Sequence, residues 1–242
     1  MTCAAALLLL LLACPVSSEE KGSLVGTTVR SKEYVIRRAP RKQEEFIGEV
    51  SYRHGIRSVS AEWALFDHDA ESWKSRGRIR AEDRLKDGSV LVLTGEEASH
   101  SLKTGLGELR PMEGGRVLLT RTAGGFDAGQ ASARRLRWDE KAGTVRLLED
   151  VRVESAFGDA SARSALYRRS DRSMTLTGGR PFAAPRQPGW TAAVQADEIR
   201  ATEQPEVLSA SGTVRGWLHF VKEAEASDDT RSFWRFWRPK RR

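Results

Sequence analysis

The stretch GDASARSALYRRSDRSMTLTGGRPFAA, residues 158–184, contains the pattern that decides the fold. The pattern is an apolar or small residue, one position, Ala, two positions, an aliphatic residue, one position and then usually an aromatic. Four copies occur: Val59, Ala61, Ala64 and Phe66; Ala131, Ala133, Leu136 and Trp138; Ala160, Ala162, Ala165 and Tyr167; Val194, Ala196, Ile199 and Ala201. Recurrence of this kind predicts a repeat architecture, in which each unit buries its apolar face by stacking on its neighbours.

The second and third copies remain in step outside the motif. An offset of 29 residues relates Val145, Leu147, Val151 and Val153 to Met174, Leu176, Arg180 and Phe182. Alternating apolar residues in VRLLEDVRVES, 145–155, are typical of half-buried strands, and turn signals such as Gly178-Gly179 separate the runs. Because no segment has a sustained helical period, we predict an all-β fold of many short strands.

The motif also contains a break in the strand alternation. Residues two apart share a face of a strand, but Ala133 and Leu136 are three apart. A β-bulge or sharp corner between them would return both pairs to the same side. Repeated corners predict a flattened, open-ended roll; the alternative is that the alanines are ordinary strand residues without a corner.

Composition sets the broad class of the protein. The chain has 242 residues, 39% of them hydrophobic and 30% charged, which is enough for one elongated domain or two small ones. The formal net charge of +7 favours anionic partners. Nucleic acid, an acidic membrane surface and a phosphorylated lipid all meet that description.

The first residues predict export. The apolar run from Ala4 to Ala13 is too short to span a bilayer and matches the hydrophobic part of a signal peptide. Two cleavage routes remain open: cleavage before Glu19 after a leader of residues 1–18, or cleavage before Cys14, which would then be lipidated. The only cysteines are Cys3 and Cys14, so the mature chain is predicted to contain no disulfide.

The rest of the chain divides by composition. Residues 19–45 are polar and are predicted to be a tether, with one edge strand around Tyr34 to Ile36. Residues 46–222 contain the strand signals, and residues 223–242 form a linker and a basic aromatic tail.

A family resemblance follows from these residues. The chain resembles the OstA-like/LptA family at Ala162, Ala165, Tyr167, Leu176, Thr177, Gly178, Ala196, Asp197, Gly212 and Val214, and in a further copy at Gly48, Val50, Ala61, Ala64 and Phe66. The resemblance covers about residues 46 to 221. It implies a β-jellyroll of stacked V-shaped antiparallel strands whose apolar interior accepts the acyl chains of lipid A.

The resemblance also implies a function. The expected role is periplasmic binding and relay of lipopolysaccharide between the inner and outer membranes, with end-to-end strand pairing to other proteins of the export bridge. An LptA-like bridging role and an LptC-like membrane-anchored role both remain open, and acylation of Cys14 with the long tether suits the second.

The predicted lipid-binding face is the apolar side of successive strands. Its candidates are Phe66, Leu136, Trp138, Val145, Leu147, Val151, Val153, Tyr167, Met174, Leu176 and Phe182. The alternative is that these side chains fill a closed core. The groove itself is implied by the family resemblance, because periodicity establishes only a common face.

Catalytic signals are weak. The histidines His54, His68, His100 and His219 lack metal-ligand spacing, and no phosphate loop or nucleophile motif occurs. His68 lies between Asp67 and Asp69 in a predicted solvated turn. We therefore expect neither an enzyme nor a metal or other cofactor.

The tail SFWRFWRPKRR, residues 232–242, mixes aromatic and basic side chains. Such residues favour the membrane–water interface and anionic head groups, and we expect the tail to contact a membrane surface or lipopolysaccharide phosphates. A disordered, solubilising end is the alternative. Two rival functions remain: a structural or adhesive cell-surface β-solenoid without a lipid ligand, and a polyanion or nucleic-acid binder, which export argues against.

Overall fold

The computed structural model describes residues 27–84, 88–123, 126–155, 158–187, 189–203 and 206–220. The predicted leader with Cys14 and the predicted tail lie outside these residues. Within them the regular structure is β, and one antiparallel sheet contains every strand. The strands are β1 Thr27–Arg30, β2 Glu33–Arg37, β3 Gln43–His54, β4 Arg57–Asp67, β5 Ser72–Arg84, β6 Val90–Ser101, β7 Leu106–Arg110, β8 Val117–Ala123, β9 Phe126–Ala133, β10 Arg135–Asp139, β11 Thr144–Ser155, β12 Gly158–Arg168, β13 Ser173–Thr177, β14 Phe182–Gln187, β15 Trp190–Gln195, β16 Glu198–Glu203, β17 Glu206–Ser211 and β18 Arg215–Phe220.

The pairing shows that each long strand has two arms. Strand β12 pairs with β13 through Ser164–Arg168 and with β14 through Gly158–Ser161. Strand β3 pairs with β2 and β1 in the same divided way. We call arm A the side formed by β2, β7, β10, β13, β16 and β17, and arm B the side formed by β1, β8, β9, β14, β15 and β18, each with the facing halves of the long strands. The predicted all-β jellyroll of stacked V-shaped strands is confirmed.

The bend of each V coincides with left-handed backbone. Glu149 and Asp150 have φ of 64° and 54°. Around them Leu148 pairs with Ser164, whereas Val151 pairs with Ala162, so two residues of β11 lie opposite one residue of β12. A bulge of this kind bends the strand. The corner predicted inside the step of three is therefore present.

Glycine supplies the same conformation at other corners. Gly77 has a φ of 81° and is followed by Arg78 at 45°, while Gly178 and Gly179 have φ of 71° and 70°. L side chains rarely adopt these angles, whereas glycine does so at little cost. The predicted turn signal Gly178-Gly179 thus marks a corner within a bent strand and not a hairpin.

The inner face of arm A consists of two parallel rows of paired residues. One row is Ala64, Ser75, Ala98, Leu109, Leu136, Leu147, Ala165, Leu176, Ile199 and Ala210. The other is Phe66, Trp73, His100, Gly107, Trp138, Val145, Tyr167, Met174, Ala201 and Leu208. Most of these residues belong to one continuous apolar core.

A further copy of the motif lies in β6 and escaped the sequence analysis. It consists of Leu93, Gly95, Ala98 and His100 in the positions of Val59, Ala61, Ala64 and Phe66. A Cβ on Gly95 would come within 2.7 Å of the Leu109 side chain, so the crowded position favours glycine over alanine. His100 is buried and takes the place of the aromatic, with its ring stacked on Trp138 at 5.8 Å.

The sheet begins earlier than residue 46. Strand β2 includes the expected edge strand around Tyr34 to Ile36, and β1 and the first residues of β3 also lie in the range predicted to be a tether. Tyr34 stacks on Phe46 with 4.9 Å between ring centroids. Residues 27–45 therefore form the first strands of the roll, because their alternating apolar residues pair with β3.

Candidate apolar ligand site

The structure brings most of the predicted lipid-facing residues together inside the roll. Seven of them are buried and belong to its hydrophobic core: Leu136, Leu147, Val151, Val153, Tyr167, Met174 and Leu176. Trp138 and Val145 are half-buried and pack against that core. The central interior is therefore filled by side chains, and these residues stabilise the roll whether or not a ligand binds elsewhere.

Phe66 occupies a different environment, near the first strands. It is half-buried, and its ring makes an edge contact with His68 at 4.6 Å. His68 lies in the turn after β4, as predicted, with its Nε2 2.8 Å from Glu44 Oε1. Aromatic and charged groups are thus mixed at this end of the inner face.

Phe182 does not lie on the inner face with the other predicted residues. Its side chain is 36% exposed and pairs across the sheet with the exposed Ser161, whereas the neighbouring Ala183 is buried. The cause is the corner, where Arg180 also has a left-handed φ of 57° after the two glycines. One additional left-handed residue shifts the alternation by one position, so the offset of 29 residues from Val153 no longer holds.

An open apolar cleft lies inside the last V of the roll. Its volume is about 460 Å³, and it is lined by Pro185, Trp190, Ala192, Ala193, Val194, Leu208, Gly216, Trp217 and Leu218. Ala183 is buried in arm B and pairs with Val194, which lines this cleft. Leu208, which pairs with Ala201, brings the inner row of arm A to its opposite wall.

The cleft is open at β18, which is the last strand of arm B among the described residues. Strand β18 pairs with β15, and no described strand pairs with its other edge. All six of its residues are exposed, including Trp217 at 59% and Phe220 at 60%. Three large apolar side chains in one short strand, next to a concave apolar surface, indicate a binding surface.

The lining of the cleft determines its chemistry. No charged side chain is among the lining residues, and the indole N–H groups of Trp190 and Trp217 are the only polar side-chain groups. Binding pockets for small ligands have volumes of about 300 to 1,000 Å³ and are mostly apolar. This cleft therefore suits a hydrocarbon chain and offers no side chain for acid–base or nucleophilic chemistry.

The inner face of the early strands differs sharply from the cleft. Arg57 Nε lies 3.2 Å from Asp83 Oδ2 where β4 pairs with β5, and burial raises the pKa of the Asp83 carboxyl. Tyr34 also has a raised pKa, because its hydroxyl is hydrogen-bonded to Glu44. The inner face of the first strands thus includes charged and polar groups, whereas the lining of the cleft contains no charged side chain.

A second cavity, of about 330 Å³, lies on the outer face of arm A, and charged side chains from β5, β6 and β7 line it. The guanidinium of Arg76 lies 4.3 Å above the Trp63 ring. The Trp63 indole N–H donates to Glu45, and this hydrogen bond, with help from Arg37, lowers the pKa of Glu45. Both the ring and the N–H group of Trp63 are therefore already occupied by contacts within the protein.

Sequence reasoning missed the residues that form the cleft. Trp190, Leu208 and Leu218 were not among the candidates, although Trp190 and Ala192 alternate with Val194 of the fourth motif copy. That alternation was the available signal. The sequence did not indicate that the site is open, because this depends on which described strand forms the edge of the sheet.

In the described ranges, no group of three His, Cys, Asp or Glu side chains is placed to hold a metal ion. Over the same residues, no helix is present that is long and apolar enough to cross a membrane.

The fold and the cleft define the class of the protein: an all-β roll with an apolar cleft at one open end. No protein-family model matches the chain, and no curated protein matches it significantly. Among solved structures, one match is LptH of Pseudomonas aeruginosa, described as the LptA-homologous periplasmic component of the lipopolysaccharide transport device. The match has 10% sequence identity and a TM-score of 0.26, and it covers 63% of this chain and 82% of LptH.

Proposed function

We propose that this protein binds acyl chains of lipopolysaccharide, or of a similarly acylated lipid, and relays the lipid between the inner and outer membranes. The observation that carries the proposal is the uncharged, open cleft inside the last V. The sequence resemblance to the OstA-like/LptA family supports it independently. Each methylene buried in such a cleft contributes about 0.8 kcal/mol, so transfer requires a neighbour that offers similar shelter.

The proposal places ligand contact at the cleft and not along the whole predicted face. Val151, Leu147 and Leu176 are packed in the core, so an acyl chain could reach them only if neighbouring side chains moved. Ala192, Leu208 and Leu218 line an existing opening. A lipid therefore has room at the end of the roll without rearrangement of the core.

The proposed partners are other proteins of the lipopolysaccharide export bridge. Strands β1 and β2 form one edge of the described sheet, and β17 and β18 form the other. Unpaired strand edges bind other strands through main-chain hydrogen bonds. End-to-end pairing at these edges would continue the apolar inner face from one protein into the next.

The location and chemistry belong to the same proposal. The protein acts in the periplasm without catalysing a reaction. It either moves freely as an LptA-like bridge or is held at the membrane through Cys14 in an LptC-like role. Residues 1–26 and 221–242 lie outside the described residues, so the leader, its cleavage site and the tail rest on the sequence alone.

A structural β-solenoid without a ligand is the second candidate function. The observation that favours it is the filled centre of the roll, where Leu147, Met174 and Leu176 are almost completely buried. This candidate predicts that the cleft is only an end of the stack. It also predicts that no lipid stabilises the protein.

Photocrosslinking in cells distinguishes the two candidates. A photoreactive amino acid is placed at Leu208 and at Leu218, and a matched control probe is placed at the exposed Ser209. Ser209 adjoins Leu208 and points to the opposite face of β17 by strand alternation. Lipopolysaccharide adducts from the two leucines alone support transport. If the folded, exported protein gives no lipopolysaccharide adduct, the transport proposal fails and the structural β-solenoid is favoured.

A further inference from the structure

The cavity on the outer face of arm A is bounded by two rows of paired residues. One row is Trp63, Arg76, Glu97 and Arg110, and the other is Lys74, Ser99 and Glu108. Ser75 and Ala98 alternate with these residues and belong to the inner face, so both rows lie on the face turned away from the core. The volume of about 330 Å³ is that of a small-ligand pocket.

The charges that line this cavity are not all compensated within the protein. Glu108 accepts a hydrogen bond from Arg110 and another, of 2.6 Å, from Nε of Arg137 on the neighbouring β10. Its charge is therefore balanced by arginines. Lys74 and Arg76, in contrast, form no ion pair with a carboxylate among the described residues. Both are exposed, so two cations at the cavity can receive an anion from solvent.

Arg76 is held in place by an aromatic contact. Its guanidinium lies 4.3 Å above the ring of Trp63, and the Trp63 N–H donates a hydrogen bond of 2.6 Å to Glu45. Because the guanidinium is already ordered, binding a ligand costs less conformational entropy. Lys74 lies two residues away on the same strand, at a distance of roughly 7 Å along β5. Both long side chains can therefore reach one anionic group.

The remaining polar groups of the cavity indicate what the anion is attached to. Glu97 lies opposite Arg76 in the strand pairing, and Ser99 lies opposite Lys74. A carboxylate repels a second anion but accepts hydrogen bonds from hydroxyl groups, and a serine hydroxyl can donate or accept. The cavity thus suits a ligand that has one anionic group and neutral hydroxyl groups beside it.

We propose that this cavity binds a phosphorylated sugar. The phosphate is held by Lys74 and Arg76, and the sugar hydroxyls are hydrogen-bonded to Glu97 and Ser99. A phosphate monoester presents three oxygens on one centre, which matches the fork of a guanidinium together with an ammonium group. The volume of the cavity leaves room for the sugar ring beside the phosphate.

This site is separate from the apolar cleft. Six successive strand pairings lead along arm A from β6 to β16, which pairs with the cleft strand β17. Since adjacent strands are about 4.8 Å apart, the two sites are roughly 30 Å apart along the sheet. They also lie on opposite faces of it. The inference therefore does not rest on the binding of acyl chains in the cleft.

A titration of the purified protein with glucose 1-phosphate, followed by nuclear magnetic resonance, tests the inference. The indole N–H signal of Trp63 reports on the cavity, and the Trp63→Phe variant identifies that signal. We expect a saturable shift of the Trp63 signal and none of the Trp190 signal, which reports on the cleft. Glucose should cause no shift. Inorganic phosphate and monomeric dihexanoyl phosphatidic acid, which represent a free anion and a lipid head group, should bind more weakly than glucose 1-phosphate.

Substitutions identify the groups that hold the phosphate. Lys74→Gln and Arg76→Gln should each weaken the binding of glucose 1-phosphate roughly tenfold, because each removes a hydrogen bond from a charged donor. Glu97→Gln should bind at least as tightly as the unmodified protein, because the amide oxygen still accepts a hydrogen bond and the repelling charge is gone. Arg146→Gln is the matched control, since Arg146 is an exposed arginine of arm A that does not line the cavity.

Four outcomes overturn the inference. The first is the absence of a saturable shift in protein that circular dichroism shows to be folded. The second is an equal loss of binding in Arg146→Gln, which would identify a general attraction of anions by the basic chain. The third is equally tight binding of inorganic phosphate, and the fourth is tighter binding of the phosphatidic acid. None of these outcomes bears on the cleft, which the crosslinking experiment tests separately.

Discussion

The ring of Trp138 lies directly over Gly107, where a Cβ would come within 2.0 Å of the indole carbons. The absence of a side chain allows Trp138 to lie across β7 and stack on His100, with 5.8 Å between their ring centroids. Trp73 contacts the same histidine ring from the other side of the row, at 6.1 Å. This glycine therefore permits an aromatic cluster in the inner row of arm A.

The Gly107→Ala substitution should displace this ring. We expect a loss of about 1 to 3 kcal/mol in the free energy of unfolding, which is typical of overpacking. Urea denaturation measures it, and the same substitution in a Trp138→Leu background is the control. A loss that is equally large without the indole would contradict the steric explanation.

The Leu147→Ala substitution tests whether the predicted lipid face is core. Leu147 is 1% exposed, and truncation of a buried leucine costs about 2 to 5 kcal/mol because a cavity remains. Leu102 is 52% exposed in the turn after β6, and Leu102→Ala should stay within about 0.5 kcal/mol. Thermal unfolding without lipid compares the two variants. Equal stabilities would show that the interior is not packed as described.

The corners can be tested with two glycines of similar backbone conformation. Gly77 and Gly55 have φ of 81° and 56°, but a Cβ would meet Glu62 atoms at 2.5 to 2.8 Å only at Gly77. A non-glycine residue in this conformation costs about 1 to 2 kcal/mol at either site. Gly77→Ala should therefore lower the free energy of unfolding by about 1 kcal/mol more than Gly55→Ala does. Chemical denaturation of both variants measures the difference, and equal losses would exclude the Glu62 contact as its cause.

Asp150 should make the stability depend on pH at the acidic end. A hydrogen bond from Arg116 lowers the pKa of the Asp150 carboxyl, and Arg152 adds to the effect. Because the folded pKa is the lower one, this contribution is complete above the ordinary value near 4 and is lost as the pH falls through the folded pKa. Both partners are accessible to solvent, so we expect at most about 1 kcal/mol at pH 7.

The Asp150→Asn variant removes this contribution. Melting temperatures measured from pH 7 down to pH 2 should fall less steeply in the variant than in the unmodified protein. In an Arg116→Gln background the same substitution should change little, because the hydrogen-bond donor is already absent. An unchanged profile in the single variant would show that the ion pair is not formed in solution.

The strand motif was readable from the sequence because its chemistry is local. Ala165 and Tyr167 alternate within one strand, and the step of three from Ala162 predicted the corner that Glu149 and Asp150 form opposite it. The rules for strand faces and bulges apply over a few residues. All-β architecture and a common inner face therefore followed from periodicity alone.

The errors arose where an additional left-handed residue or a contact between strands changes the expected pattern, and neither can be seen in the alternation of residues. Phe182 was misplaced because Arg180 adds a third left-handed residue to its corner. The copy in β6 was missed because Leu109 packs against Gly95, a contact between residues that are not adjacent in sequence. The cleft was missed because its walls, Val194 and Leu208, belong to different arms.

The order of pairing has a consequence for how such a protein can evolve. Each bent strand pairs with the bent strands immediately before and after it along the chain, so β11 pairs with the β9–β10 strand and with β12. Duplication or loss of one hairpin unit in the middle would leave both terminal strands with the same neighbours. Since adjacent strands are about 4.8 Å apart, each duplicated pair would lengthen the roll by roughly 10 Å. Gene duplication can thus adjust the distance between the two ends in steps while the cleft at one end is inherited intact.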